Sequence, residues 1–195
     1  MKQLLMAIDY LHRRQVAHRD IKPENILAGP FGEVLLLDWG LAKVWHPDGK
    51  GAQALGSSGL DDEDQVAAAA ATAAIEDITL TGQGKAQGTA HYMSPEQINL
   101  DPTIDHRTDV YSFGAVLYEA LCGRAPPTGE KMHHIIHSTL NETPQLPSLV
   151  NPLPVPPLLE QVAMRCLEKD RAARYSNMGQ VIRLMHQDWR SGMGR

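Results

Sequence analysis

Apolar residues in Lys2–Arg14 fall at Leu4, Leu5, Ile8 and Leu11, the spacing of one helix face. No Ser, Thr, Asp or Asn precedes that stripe, so the helix reads as already under way at Met1. A polar stretch follows, His18-Arg19-Asp20-Ile21-Lys22-Pro23-Glu24-Asn25, and passes into Ile26-Leu27. Ile26–Ala28 and Val34–Leu36 predict two short strands with a turn at Gly32. The second apolar run ends in Asp38-Trp39-Gly40, which puts Asp38 at a strand end, over the same cleft as Asn25. Asp105–Leu121 is apolar almost all round, the mark of a buried helix, and Gly123, Pro126 and Pro127 stop it. Glu130–Leu140 is a weaker helical stretch, and Thr143–Pro157 holds six prolines and reads as an irregular covering segment. Leu158–Lys169 is amphipathic through Leu158, Leu159, Val162, Ala163, Cys166 and Leu167. Ser176–Trp189 predicts a last helix on Met178, Val181, Ile182 and Met185. The pattern as a whole predicts a mainly α fold with a small β-hairpin region.

Trp45–Lys85 breaks this pattern. It is rich in Gly and Ser as far as Gly59, turns acidic at Asp61–Asp64 and then runs into Ala67–Ala71. Acidic residues before an alanine run suit a helix N-terminus, but no apolar face is wide enough to hold such a helix in place. The expectation for 45–85 is a mobile, partly disordered insertion, and for 191–195 a disordered tail. A chain of 195 residues, 43% hydrophobic and 21% charged, suits one soluble globular domain. A net charge of −5 gives no nucleic-acid footprint. Cys122 and Cys166 lack metal-ligand spacing, which favours a reduced, cytoplasmic compartment. No apolar run reaches the roughly 18 residues of a membrane span. His133, His134 and His137 share a helix at spacings that could bind metal, but no third ligand type lies near, so surface histidines are expected.

The chemistry concentrates in His18–Leu27. Asp20 and Asn25 bring oxygens suited to a substrate proton and a hard metal ion, and Lys22 adds a mobile positive charge. That combination suits phosphoryl transfer, where a protein mainly positions oxygens and neutralises developing charge. The stretch resembles the catalytic loop of the eukaryotic-like protein kinases, whose signature is H-R-D with Asn five residues after the Asp. Further motifs follow in the family's order: Asp38-Trp39-Gly40, then GTAHYMSPEQ from Gly88, then Asp109-Val110-Tyr111-Ser112-Phe113-Gly114, then Arg174. Together they resemble the C-terminal lobe of a protein kinase of the bacterial serine/threonine type, over residues 1–190.

The resemblance implies roles. Asp20 would accept or orient the substrate hydroxyl proton, and Lys22 would balance charge on the transferred phosphoryl group. Asn25 and Asp38 would ligate Mg²⁺ on the phosphates of ATP, and Leu27 would face the adenine ring. Arg19 would receive a phosphate on the activation segment, for which Thr79 and Thr81 are candidates. Thr89 would touch the Asp20–Lys22 pair, which with Lys22 favours Ser or Thr acceptors on a protein substrate. Glu96 would pair with Arg174, Asp109 would bond back to the catalytic loop, and His18 would pack on Trp39. Trp39, Ser94 and Arg171 stand where the family usually has Phe, Ala and Pro.

The sequence contains no G-x-G-x-x-G and no V-A-I-K ahead of His18. The expectation is therefore a chain shortened at its front, with the ATP-binding N-lobe absent, and with little or no activity in isolation. A lobe built to pack under another should also expose an apolar face at its cleft edge and be poorly soluble alone. One alternative is a non-catalytic kinase remnant that binds partner proteins. A small-molecule phosphotransferase is weakened by the S-P-E and D-V-Y-S-F-G motifs.

Overall fold

A computed structural model describes residues 1–45, 53–54, 89–126, 129 and 131–192. Helix α1, Lys2–Arg13, turns Leu4, Leu5, Ile8 and Leu11 inward, as the stripe predicts, and Met1 caps it without a side-chain bond. β1 is Val16–Ala17, and a 3₁₀ turn covers Pro23–Asn25. β2, Ile26–Ala28, and β3, Val34–Leu36, form the predicted antiparallel hairpin, with Leu27 opposite Leu35. β4, Lys43–Val44, pairs on one side with β1 and on the other with β5, Gln53–Ala54.

The helices that follow are α2, Pro95–Ile98; α3, Arg107–Cys122; α4, Met132–Asn141; α5, Pro147–Val150; α6, Pro157–Cys166; and α7, Met178–Gly192. α3 is the axis of the molecule and is buried continuously from Thr108 to Tyr118. Gly114 lets α6 approach it: a Cβ there would lie 2.5 Å from Cys166 Cβ, closer than carbon atoms tolerate. The helix ends at Gly123, whose φ of 72° is the left-handed cap that glycine adopts without strain. α1 packs on α7, and Leu4, Ile8, Phe113, Val162, Met178 and Val181 share one core.

One stretch differs from expectation. The proline-rich 143–157 segment contains α5, because Pro147 occupies the first turn, where the missing N–H has no helical partner to lose. Within 45–85, residues 53–54 form β5; Thr79 and Thr81 lie outside the described residues. His133, His134 and His137 are exposed on α4, and among the described residues no group of three His, Cys, Asp or Glu could hold a metal ion. Among the same residues, no helix is long and apolar enough to cross a membrane.

Candidate active site

The loop between β1 and β2 is held from below by one carboxylate. Asp109, in the first turn of α3, is fully buried. Its Oδ2 accepts the backbone N–H of His18 at 2.8 Å, and its Oδ1 accepts that of Arg19 at 2.8 Å. His12 Nε2, from α1, sits 2.9 Å from the same Oδ2. Burial alone would push the Asp109 carboxyl up. His12 and the two backbone donors outweigh burial and hold it below the ordinary carboxylate range. These contacts keep Arg19 in the left-handed region at φ 68°, a conformation that side-chain-bearing residues adopt only when their surroundings impose it.

His18 is completely buried and ties the loop to the hairpin. Its Nδ1 accepts the N–H of Asp20 at 3.3 Å, which leaves Nε2 to donate to the Leu37 carbonyl at 3.1 Å. Its ring lies 5.0 Å from that of Trp39. Pro23 opens the 3₁₀ turn that swings Asn25 back over the loop. There Asn25 Nδ2 donates to both the Asp20 carbonyl and Asp20 Oδ2, each at 2.8 Å. Lys22 Nζ reaches the same Oδ2 at 2.8 Å and Thr89 Oγ1 at 3.1 Å. Among the described residues, every side-chain bond to the Asp20 carboxylate falls on Oδ2, and Oδ1 accepts none.

Asp38 comes to the same place by a different route. The Leu37 N–H donates to the Asn25 carbonyl at 2.8 Å, so the end of β3 is pinned beside Asn25. Asp38 itself has φ 57°, is exposed, and accepts the Gly40 N–H on Oδ1 at 3.2 Å. Leu27 and Leu35, opposite each other in the hairpin, are both more than half exposed, and Leu37 and Trp39 extend this apolar strip.

The expected pair Glu96–Arg174 is buried. Arg174 Nη1 donates to Glu96 Oε1 at 2.6 Å and Nη2 to Oε2 at 2.8 Å. The other guanidinium N–H groups reach the carbonyls of Glu168, Arg107 and Lys169, so all five donors are used. Arg19 differs: its guanidinium is largely buried, burial lowers its pKa, and among the described residues its Nε has no hydrogen-bond partner.

Sequence reasoning passed over three contributors. His12 sits on the core face of α1 and shows no motif of its own. The Tyr92 hydroxyl donates to Glu119 at 2.6 Å; burial and that carboxylate push its pKa well above the usual phenol value. Gln97 donates from Nε2 to the Arg19 carbonyl at 2.7 Å. The Gln97 signal was present in Ser94-Pro95-Glu96-Gln97, a capping-box pattern that the structure realises.

The family model for the protein kinase domain matches residues 1–189. The chain belongs to the protein kinase domain family. It is 36% identical over 176 residues to the probable serine/threonine-protein kinase PknB of Bifidobacterium longum, covering 90% of this chain and 21% of that protein. It is 32% identical over 178 residues to a probable serine/threonine-protein kinase of Streptomyces coelicolor, covering 91% of this chain and 22% of that protein. It is 33% identical over 181 residues to the serine/threonine-protein kinase PknD of Protochlamydia amoebophila, covering 92% and 17%. This kinase chain thus spans about a fifth of the length of the curated relatives it matches.

Proposed function

We propose that the chain is the catalytic C-terminal lobe of a serine/threonine protein kinase, transferring phosphate from ATP to protein hydroxyls. The observation that carries this is the Asp20 constellation: one carboxylate oxygen held by Lys22 and Asn25, the other left for a substrate. Asp20 is the group that orients the acceptor hydroxyl and takes its proton. Lys22, held 2.8 Å from Asp20 and 3.1 Å from Thr89, offsets charge on the migrating phosphoryl group. Its place two residues after Asp20, with Thr89 beside it, favours Ser and Thr acceptors.

Asn25 and Asp38 would hold Mg²⁺. The fit rests on the donors: both Asn25 amide hydrogens go to Asp20, which leaves Oδ1 for a cation, and Asp38 is an exposed carboxylate next to it in the chain path. A hard cation bound there supplies charge neutralisation at the phosphates. Leu27 and the exposed strip around it would take the adenine ring and the underside of an ATP-covering lobe. The buried Nε of Arg19, without a partner among the described residues, supports its reading as a receptor for a phosphorylated activation segment, with Thr79 and Thr81 as candidate sites.

The glycine-rich loop and its lysine are not in these 195 residues, and nucleotide positioning can supply roughly 7–11 kcal/mol of barrier reduction. The isolated chain is therefore expected to label Ser/Thr peptides with Mg-ATP no better than its Asp20→Asn variant. A native gene product that carries an ATP-covering lobe is expected to label them in an Asp20-dependent way. Strong Asp20-dependent labelling by the 195-residue chain would overturn the lobe assignment. No labelling by the native product would leave the family's fold serving partner binding instead.

A further inference from the structure

Arg19 and Asp20 share a peptide whose orientation decides where the Asp20 carboxylate points. Arg19 is held at both of its backbone ends, and of the two holds only the one on its carbonyl falls on that peptide. Asp109 holds the Arg19 N–H at 2.8 Å, and Gln97 Nε2 holds the Arg19 carbonyl at 2.7 Å. We propose that Gln97 is a positioning residue for the catalytic aspartate. It would lock the left-handed Arg19 and couple Asp20 to the segment that runs from Thr89 through α2. The proposal rests on the reading of Asp20 as catalytic.

The carboxamide is oriented by its neighbours. Ser94 N–H, which can only donate, meets Gln97 Oε1 at 3.1 Å, and the Thr108 hydroxyl donates to the same oxygen at 2.8 Å. The Arg19 carbonyl, which can only accept, meets the nitrogen. The O and N ends of the amide are therefore assigned by chemistry. Thr108 precedes Asp109 in α3, so two consecutive residues hold the two ends of Arg19, one directly and one through Gln97. Without the second contact, φ 68° at a side-chain-bearing residue has less to maintain it. Relaxation there rotates the Arg19–Asp20 peptide and carries Asp20 with it. The same α2 closes the segment whose Thr89 touches Lys22, so both members of the Asp20–Lys22 pair are held from one piece of chain.

Gln97→Glu keeps the length and the acceptor oxygen but sets a carboxylate oxygen against the Arg19 carbonyl. Gln97→Met keeps the length and removes both polar ends. Backbone amide hydrogen exchange on the 195-residue chain is expected to speed up about tenfold at residues 18–21 in both variants, with α3 unchanged. In the native kinase product, Gln97→Glu is expected to lower kcat about tenfold with the peptide KM unchanged. Exchange at 18–21 equal to the unsubstituted chain would overturn the proposal. So would loosening of α3 in step with the loop, or a loss confined to KM. A native product with no phosphotransfer at all defeats the functional reading, while the exchange result still decides the hold on Arg19.

Discussion

The loop from His18 to Asn25 and the turn at Asp38–Gly40 are joined through the Leu37 N–H on the Asn25 carbonyl, yet they are held very differently. In the loop His18, Asp20, Ile21 and Asn25 are buried, and His18, Arg19, Asp20 and Asn25 each make bonds within this chain. The Asp38 turn is exposed, and its carboxylate makes a single 3.2 Å bond to Gly40. The Asp20 half of the site is thus organised by this chain's own core. The Asp38 half stands at a solvent-facing rim beside Leu27, Leu35, Leu37 and Trp39, all of them exposed. Preorganisation in this kinase domain is graded, strong at Asp20 and weak at Asp38.

The strongest way to break that contrast is to remove the support under the loop. Asp109→Ala strips acceptors from two backbone N–H groups and from His12, those of His18 and His12 buried and that of Arg19 partly so. Each buried donor left without a partner costs about 1–3 kcal/mol, so the loss over three donors is expected to reach at least roughly 3 kcal/mol. Urea unfolding measures it. A loss below about 1 kcal/mol would mean that the loop does not depend on α3.

A smaller effect tests the edge of the same support. His106 lies beside it, its ring 5.0 Å from His12 and stacked on Trp45 at 4.3 Å, with Nε2 2.7 Å from the Ser176 carbonyl. Burial is the main cause that lowers its pKa below the ordinary 6.5; His12 adds to it, while the Ser176 carbonyl, Asp105 and Asp109 oppose it. A histidine depressed in the folded state takes up its proton more readily when unfolded. Its contribution is therefore present above about pH 6.5 and is lost as pH falls through the folded pKa. Stability is expected to decline from pH 7 to pH 5, and His106→Asn is expected to flatten that decline. The depressed Asp109 carboxyl acts in a separate window, below the ordinary 3.8. An unchanged slope in His106→Asn would remove His106 from the account.

What could be read from sequence follows the same grading. Asp20, Lys22, Asn25 and Asp38 stand in one local pattern, and the hairpin on either side of Gly32 announces itself by two apolar runs and a turn residue. Glu96, Asp109 and Arg174 were legible through motif order, although their partners are far away in sequence. Gln97, His12 and the Tyr92–Glu119 pair were not read. Their meaning lies in contacts 78, 97 and 27 residues distant that no local spacing encodes. Helix α5 was hidden because a proline-rich segment reads as irregular until Pro147 is seen at a first turn. Strand β5 has only two residues and exists through its ladder to β4, too short for any alternation to show.

The smallest expected change in stability is at Asp38, and it sharpens the contrast most. Asp38→Gly removes one exposed 3.2 Å bond and relieves a φ of 57° that glycine adopts freely. The two effects oppose each other, so unfolding free energy is expected to move by less than about 0.5 kcal/mol, the range of surface substitutions. Phosphotransfer by the native product is expected to vanish, because the carboxylate proposed for Mg²⁺ is gone. A residue that the fold does not need, in a conformation the fold does not favour, is then maintained for chemistry alone. If Asp38→Gly instead destabilised the chain by 2 kcal/mol or more, roughly the scale of a lost buried contact, the rim would belong to the core after all.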